Sequence, residues 1–190
     1  MKIVLDLETN GLPQMNGYSF PNSSDFKKYD TSRIVQIGYI ILNNNNEIIA
    51  RKSLLINPNN RFQITNSHIH GITEDIAVKY GLDIDDALRI LEFDVKECKL
   101  LICHNVSFDK NVLLSELYRS NKFSSLLINI LRLPVYCTME KGKEKFALKK
   151  FPKLTELVKL VSPQSVWIQK HDALDDCDHC LKCYVALTIK

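Results

Sequence analysis

The sequence predicts an α/β domain on a mixed five-stranded sheet, a three-strand antiparallel meander followed by parallel strands, with helices on its faces. Three observations point there. A short apolar run opens the chain at residues 2–7, and two β-rich runs flank an Asn-rich turn at 43–46. From residue 73 onward, helix-spaced apolar stripes alternate with strand-length apolar runs.

KIVLDL, residues 2–7, has the length and content of a buried strand. Residues 10–32 hold Gly11, Pro13, Gly17, Pro21 and several Asn and Ser, the composition of a long polar loop. Loops of that length inside a compact domain tend to be functional or partly mobile. Ile34–Leu42 and Ile48–Ile56 form a hairpin around NNNNE. Helices are expected over 73–80 and 83–98, the second with Ala87, Leu88, Leu91 and Val95 on one face. Leu100–Cys103 is a strand-length run, and Ser107 is the expected N-cap of the helix carrying Val112, Leu113 and Leu117. Val135–Thr138 is the last short strand, Pro152 opens a helix with Leu154, Leu157 and Val158, and a final helix runs over 172–189. No repeat or linker divides residues 1–190, so one domain is expected.

Composition narrows the function classes. The 190 residues are 45% hydrophobic and 25% charged, spread without blocks, which argues against disorder. No apolar run is long enough to span a bilayer, and MKIVLDLETN lacks the h-region and cleavage site of a signal peptide. Six cysteines without a secretion signal point to free thiols in a reducing compartment, so an intracellular protein, cytoplasmic or nucleoid/nuclear and without a membrane, is expected. A net charge of +3 does not by itself indicate a nucleic-acid partner.

The chemistry lies in acids at element ends. Asp6 and Glu8 are two apart, so on a strand both side chains face the same way. Two like charges on a core strand repel and resist desolvation. Either the strand frays and both acids are solvated, or a hard divalent cation compensates them. Asp109 falls in the first turn of a helix directly after a strand: a partner of the helix dipole, or a site residue at the carboxyl end of a sheet strand. In HDALDD, His171 on the loop before a helix and Asp176 in its second turn can face the same site.

Together, DLETNG, the HNVSFD segment (104–109) and HDALDD resemble the three motifs of the DEDDh 3′–5′ exonucleases. These form the DnaQ-like group of the ribonuclease H-like fold, which includes polymerase III epsilon-like proofreading subunits and oligoribonuclease. RIVQIG (33–38) resembles the group's second strand and HGIT (70–73) the segment after its third, so the resemblance runs in order along nearly the whole chain. It implies that Asp6, Glu8, Asp109 and Asp176 hold two Mg²⁺ or Mn²⁺ ions, and it selects Asp176 over the neighbouring Asp175. His171 then acts as general base on the attacking water, a task suited to imidazole chemistry near neutral pH. The reaction implied is two-metal hydrolysis of phosphodiester bonds in single-stranded DNA or RNA, releasing 5′-mononucleotides from the 3′ end.

By position in the family pattern, Thr9, Leu12, His70, Asn105 and Phe108 border the terminal nucleotide. Phe108 also reads as core, and Asn105 also reads as a cap of the following turn. A polymerase is a candidate partner, and the oligomeric state is open. A short-RNA-degrading enzyme and a non-catalytic nucleic-acid-binding domain are the alternatives, and crowding acids around a phosphate argues against the second. Residues 141–153, with six Lys, one Glu and two Phe, read either as a phosphate-tracking flap or as a solvated loop. Cys177, His179, Cys180 and Cys183 have some metal-ligand character, but a helix spreads them around its surface and no second half-site follows. Packing of that helix against the sheet is the expected role. His68 and His70 are likewise not expected to form a metal pair.

Overall fold

The computed structural model describes residues 1–189. The elements in chain order are β1 (Lys2–Thr9), a 3₁₀ turn (Phe26–Tyr29), β2 (Ile34–Leu42), β3 (Ile48–Leu55), α1 (Ser67–His70), α2 (Glu74–Tyr80), α3 (Ile84–Val95) and β4 (Leu101–Cys103). There follow α4 (Val106–Ser120), α5 (Ser124–Arg132), β5 (Val135–Cys137), α6 (Thr138–Lys145), α7 (Leu154–Val161) and α8 (Ala173–Thr188). The strands form a sheet in the order β3-β2-β1-β4-β5. The first three are antiparallel, while β4 and β5 join parallel to β1, as the sequence predicts.

Period-two alternation sorts β1 between two layers. Ile3, Leu5 and Leu7 point into a core shared with Ala87, Leu88 and Leu91 of α3, Val112 and Leu113 of α4, and Leu126 and Ile130 of α5. Val4 points the other way, into a core with Leu157 of α7 and Cys177, Cys180 and Cys183 of α8. Asp6 and Glu8 continue the Val4 face. Their strand does not fray: Asp6 pairs with Gly38 and Glu8 with Gln36 on β2, and pairing persists through a bulge to Thr9. The sheet therefore delivers two carboxylates toward α8.

All six cysteines are free and buried. On α8 the Cys177 thiol donates to the Gly38 carbonyl at 3.2 Å, and Cys180 lies 3.6 Å from the Thr138 hydroxyl, so these side chains pack the helix on the sheet. The approach is close. A Cβ on Gly38 would lie 2.3 Å from the Ala173 carbonyl carbon and 2.5 Å from the Leu174 nitrogen. Both are backbone atoms, and neither can move without moving α8. Gly38→Ala is expected to cost about 3 kcal/mol, the upper end for overpacking. Urea denaturation should show it as a midpoint lower by about 1 M; an unchanged midpoint would mean that α8 is not seated by this contact.

Three sequence expectations need correction. The helix after β4 begins at Val106 with Asn105, not Ser107, at its N-cap position. Helix α5 is present where no element is expected; its start has no capping side chain, and only Leu126 and Ile130 are buried. Residues 141–145 of the Lys-rich segment belong to α6 rather than to a loop. The 10–32 loop is closed on itself by the Tyr29 hydroxyl, which donates to the Pro21 carbonyl at 2.7 Å, and is held against α4 by Arg119, which donates to the Phe26 carbonyl at 2.7 Å. Among the described residues no helix is long and apolar enough to cross a membrane.

Candidate active site

The carboxyl ends of the interior strands β1 and β4 and the amino end of α8 meet at one end of the sheet. Asp6 and Glu8 come from β1. Asp109 comes from the first turn of α4, where its Oδ1 accepts the Leu7 N–H at 3.1 Å, between the two β1 acids. Asp176 comes from the first turn of α8. Glu8, Asp109 and Asp176 are 8%, 2% and 3% exposed, so this is a buried acidic cluster and not a solvated one.

Charge of one sign held out of water shifts each group the same way. Burial, with Asp176, Asp109 and Asp172 nearby, pushes Glu8 up to about 8. Burial raises Asp176 to about 6, opposed by its hydrogen bond from Gln169. Asp6 keeps part of its surface open, yet burial and then Asp109, Asp176 and Glu8 raise it well above the ordinary carboxylate range. Asp109 is raised as well, by burial, with the Leu7 N–H pulling in the opposite direction.

His171 sits on the loop before α8 with φ 52°, a left-handed conformation that is uncommon outside glycine and concentrated at functional positions. That turn leads into Asp172, whose side chain accepts the Asp175 N–H at 3.0 Å and caps the helix. One ligand atom each of Glu8, His171 and Asp176 lie within 4.8 Å of one another. Asp175, one residue away, turns elsewhere: it accepts the Trp167 indole N–H at 2.8 Å, and Trp167 stacks on His179 at 3.7 Å between centroids.

The residues fit a divalent ion. Asp176 Oδ1 is buried with no hydrogen-bond partner, an acceptor whose desolvation nothing in the protein offsets. Around this carboxylate lie a Glu8 oxygen and a His171 ring nitrogen, while Asp6 and Asp109 stand outside this group and act on it through their charge. Carboxylate oxygens are the donors that hard cations such as Mg²⁺ and Mn²⁺ prefer.

His70 ends α1, Gly71 follows in a left-handed conformation, and the Ile72 N–H donates to His70 Nδ1 at 3.1 Å. That bond assigns the ring proton to Nε2, which is buried and without a partner. Burial, then the proximity of His171 and His68, lowers the His70 pKa, so the ring is neutral at physiological pH. The Thr9 hydroxyl donates to the Gly11 carbonyl at 2.9 Å, and Leu12 is 68% exposed on the loop beyond. Asn105 is left-handed (φ 68°) with no capping bond from its side chain, so the cap reading does not describe that side chain. Phe108 is half-buried, 6.1 Å from the Phe20 ring, and packs on the core.

Sequence reasoning missed the residues that brace the site. The Gln36 amide donates to Asp172 Oδ2 at 2.8 Å and accepts the Ala173 N–H at 3.1 Å, locking α8 to β2. Asn10 bridges to the segment before α1, accepting the Thr65 N–H at 3.3 Å and donating to the Gln63 carbonyl, so the His70 segment is tied to the end of β1. Both residues lie inside stretches already singled out, but an amide's partners far along the chain leave no local signal.

A family model described as Exonuclease matches residues 3–184. A search of curated proteins gives no match. Among solved structures, the fold is similar to exonuclease X in complex with 5′-overhanging duplex DNA, at TM-score 0.63 and 21% identity over 98% of this chain and 90% of that one. It is also similar to exonuclease I from Methylocaldum szegediense, at TM-score 0.73 and 18% identity over 97% of this chain and 39% of that one. A zinc-bound complex of E. coli exonuclease I with single-stranded DNA gives TM-score 0.68 and 17% identity over 94% of this chain and 38% of that one. The chain thus spans about two fifths of the exonuclease I chains. With the family model covering nearly its full length, the chain belongs to the exonuclease family, as a DEDDh-type, DnaQ-like member of the ribonuclease H-like superfamily.

Proposed function

We propose that this protein is a 3′–5′ exonuclease that hydrolyses single-stranded DNA or RNA and releases 5′-mononucleotides. The observation that carries the reading is that Glu8, His171 and Asp176 bring ligand atoms within 4.8 Å of one another, with Asp176 Oδ1 buried without a partner. Asp6 and Asp109 stand near enough that burial and then mutual repulsion raise the Asp6 and Glu8 carboxyls. Asp6, Glu8, Asp109 and Asp176 would hold two Mg²⁺ or Mn²⁺ ions. Bound there, such ions supply an activated water and offset the charge that develops on the phosphate and the leaving 3′-oxygen.

The chain's own groups do the rest. His171, beside Glu8 and Asp176, takes the proton of the attacking water. His70 presents a neutral Nε2–H donor to a non-bridging phosphate oxygen, and satisfying that orphaned donor favours bound substrate. Thr9 and Leu12 hold the terminal sugar and base from one side, Asn105 and Phe108 from the other. The DNA bound in the related exonuclease X and exonuclease I complexes supports a nucleic-acid substrate without choosing the sugar.

The test is a time course on 5′-labelled single-stranded DNA and RNA of one sequence, with Mg²⁺, Mn²⁺ or chelator. Expected is a metal-dependent ladder shortening from the 3′ end and absent with Asp109→Asn. Immediate release of the labelled end would reverse the polarity. Binding without cleavage in either metal would replace this reading with a non-catalytic nucleic-acid-binding domain.

A further inference from the structure

We propose that residues 148–153, between α6 and α7, form a track for the single strand upstream of its 3′ end. This rests on the nuclease reading for its direction, but its evidence is separate. Residues 140–160 hold seven Lys against three Glu, an excess of four positive charges where the whole chain has an excess of three. The chain's positive charge is thus concentrated on one stretch, and a polyanion is the matching partner.

The stretch is fixed beside the acidic cluster. His104, at the end of β4 and just before α4, has both ring nitrogens engaged. Nε2 lies 3.1 Å from the Pro152 carbonyl and Nδ1 3.0 Å from the Thr138 hydroxyl. A carbonyl only accepts, so the proton is on Nε2, and Nδ1 is the nearer acceptor for the Thr138 hydroxyl, whose other acceptor, the Cys103 carbonyl, lies at 3.3 Å. Burial lowers the His104 pKa to about 4, so this neutral arrangement persists at physiological pH. Five residues further on, Asp109 belongs to the acidic cluster. The stretch is therefore a strap tied down near its far end, at Pro152, on the same strand end as the site.

Its surface suits a strand rather than a point anion. Leu148, Pro152 and Leu160 line an apolar trough of about 470 Å³, rimmed by Lys149, Lys150 and Lys159. Phe151 is 52% exposed beside it, with the Lys143 ammonium 4.4 Å from its ring centroid. Apolar floor and aromatic face serve bases, and lysines serve phosphates. Glu156 is engaged locally, accepting the Lys153 N–H at 2.9 Å. Its 3.3 Å pair with Lys150 is exposed, the kind of bond a phosphate replaces at little cost.

The test is fluorescence anisotropy in chelator, so that binding is read without turnover, using an oligothymidylate trinucleotide and hexadecanucleotide over a range of salt. Lys149→Ala/Lys150→Ala is expected to weaken the hexadecanucleotide about tenfold and to lower the log–log salt slope by about 1.4, two single-strand phosphates' worth. Trinucleotide affinity should change less than about twofold, because a short strand ends before the strap. Lys96→Ala/Lys99→Ala removes the same charge at the opposite end of the sheet, where the Lys99 N–H donates to the Met1 carbonyl, and should leave the slope unchanged. Wild-type affinity and slope in the strap variant, or equal loss on both lengths or in both variants, would overturn the track. A wild type that binds but never cleaves would remove the nuclease reading and leave the track's contribution to binding standing.

Discussion

Glu8→Gln will make the metal-free protein more stable above neutral pH while abolishing turnover. Glu8 is pushed from 4.5 up to about 8 by burial and by Asp176, Asp109 and Asp172. A raised folded-state pKa means that the native protein holds a proton the unfolded chain has released. Below about 4.5 both states are protonated and nothing is lost; as pH rises toward 8, stability falls by about 4 kcal/mol from this group. Glutamine keeps the shape and has no proton to release. Calorimetry in chelator should therefore show wild type and variant together near pH 4.5 and separated by about 10 °C above pH 8. Mn²⁺ or Mg²⁺ should recover most of the wild-type loss, because an ion that binds only the folded state stabilises it. Parallel pH profiles in chelator would mean that the cluster is solvated and carries no stored repulsion. The trade is a familiar one: the arrangement that holds the ion destabilises the fold that carries it.

The outline of that arrangement is legible locally, because it depends on short periods. A spacing of two places Asp6 and Glu8 on the face opposite Leu5 and Leu7, and strand pairing to Thr9 keeps them there. A helix start directly after β4 places Asp109 at the carboxyl end of an interior strand. Asp175 and Asp176 differ by one residue on a helix, about a quarter turn, which separates the cluster from the Trp167 contact. Local reasoning fails where a neighbour distant in sequence decides. Gly142 reads as a loop residue, yet it lies inside α6, where α7 comes so close that a Cβ would lie 2.6 Å from Leu157 Cδ1. Gln36 is one polar residue in an apolar strand until α8 folds onto it. The Lys-rich segment reads as flap or solvated loop until His104 is seen holding its carbonyl.

The second large effect concerns His171. His171→Ala should lower kcat by about 10²–10⁴, the usual contribution of a positioned base. KM for a short strand should stay close to wild type, because the contacts to the terminal nucleotide come from other residues. The rival role is metal ligation, since the ring lies within 4.8 Å of oxygens on Glu8 and Asp176. A ligand and a base are distinguished by the ion, not by activity. The chain's only tryptophan, Trp167, reports on it: its indole N–H is held by Asp175, and in the same loop Gln169 donates to Asp176 Oδ2. An ion on Asp176 Oδ1 draws on the carboxylate whose Oδ2 Gln169 holds, and so is expected to perturb the loop on which Trp167 stacks against His179. Titration of Mn²⁺ into wild type should therefore change Trp167 fluorescence with a measurable midpoint. The base role requires the same midpoint, within about twofold, in His171→Ala, with turnover gone. A midpoint raised tenfold or more would make His171 a ligand, in line with the 10–100-fold loss of affinity that even the partners of metal ligands cause when removed. Turnover near wild type would leave the left-handed strain at residue 171 without a catalytic purpose and would place the base elsewhere.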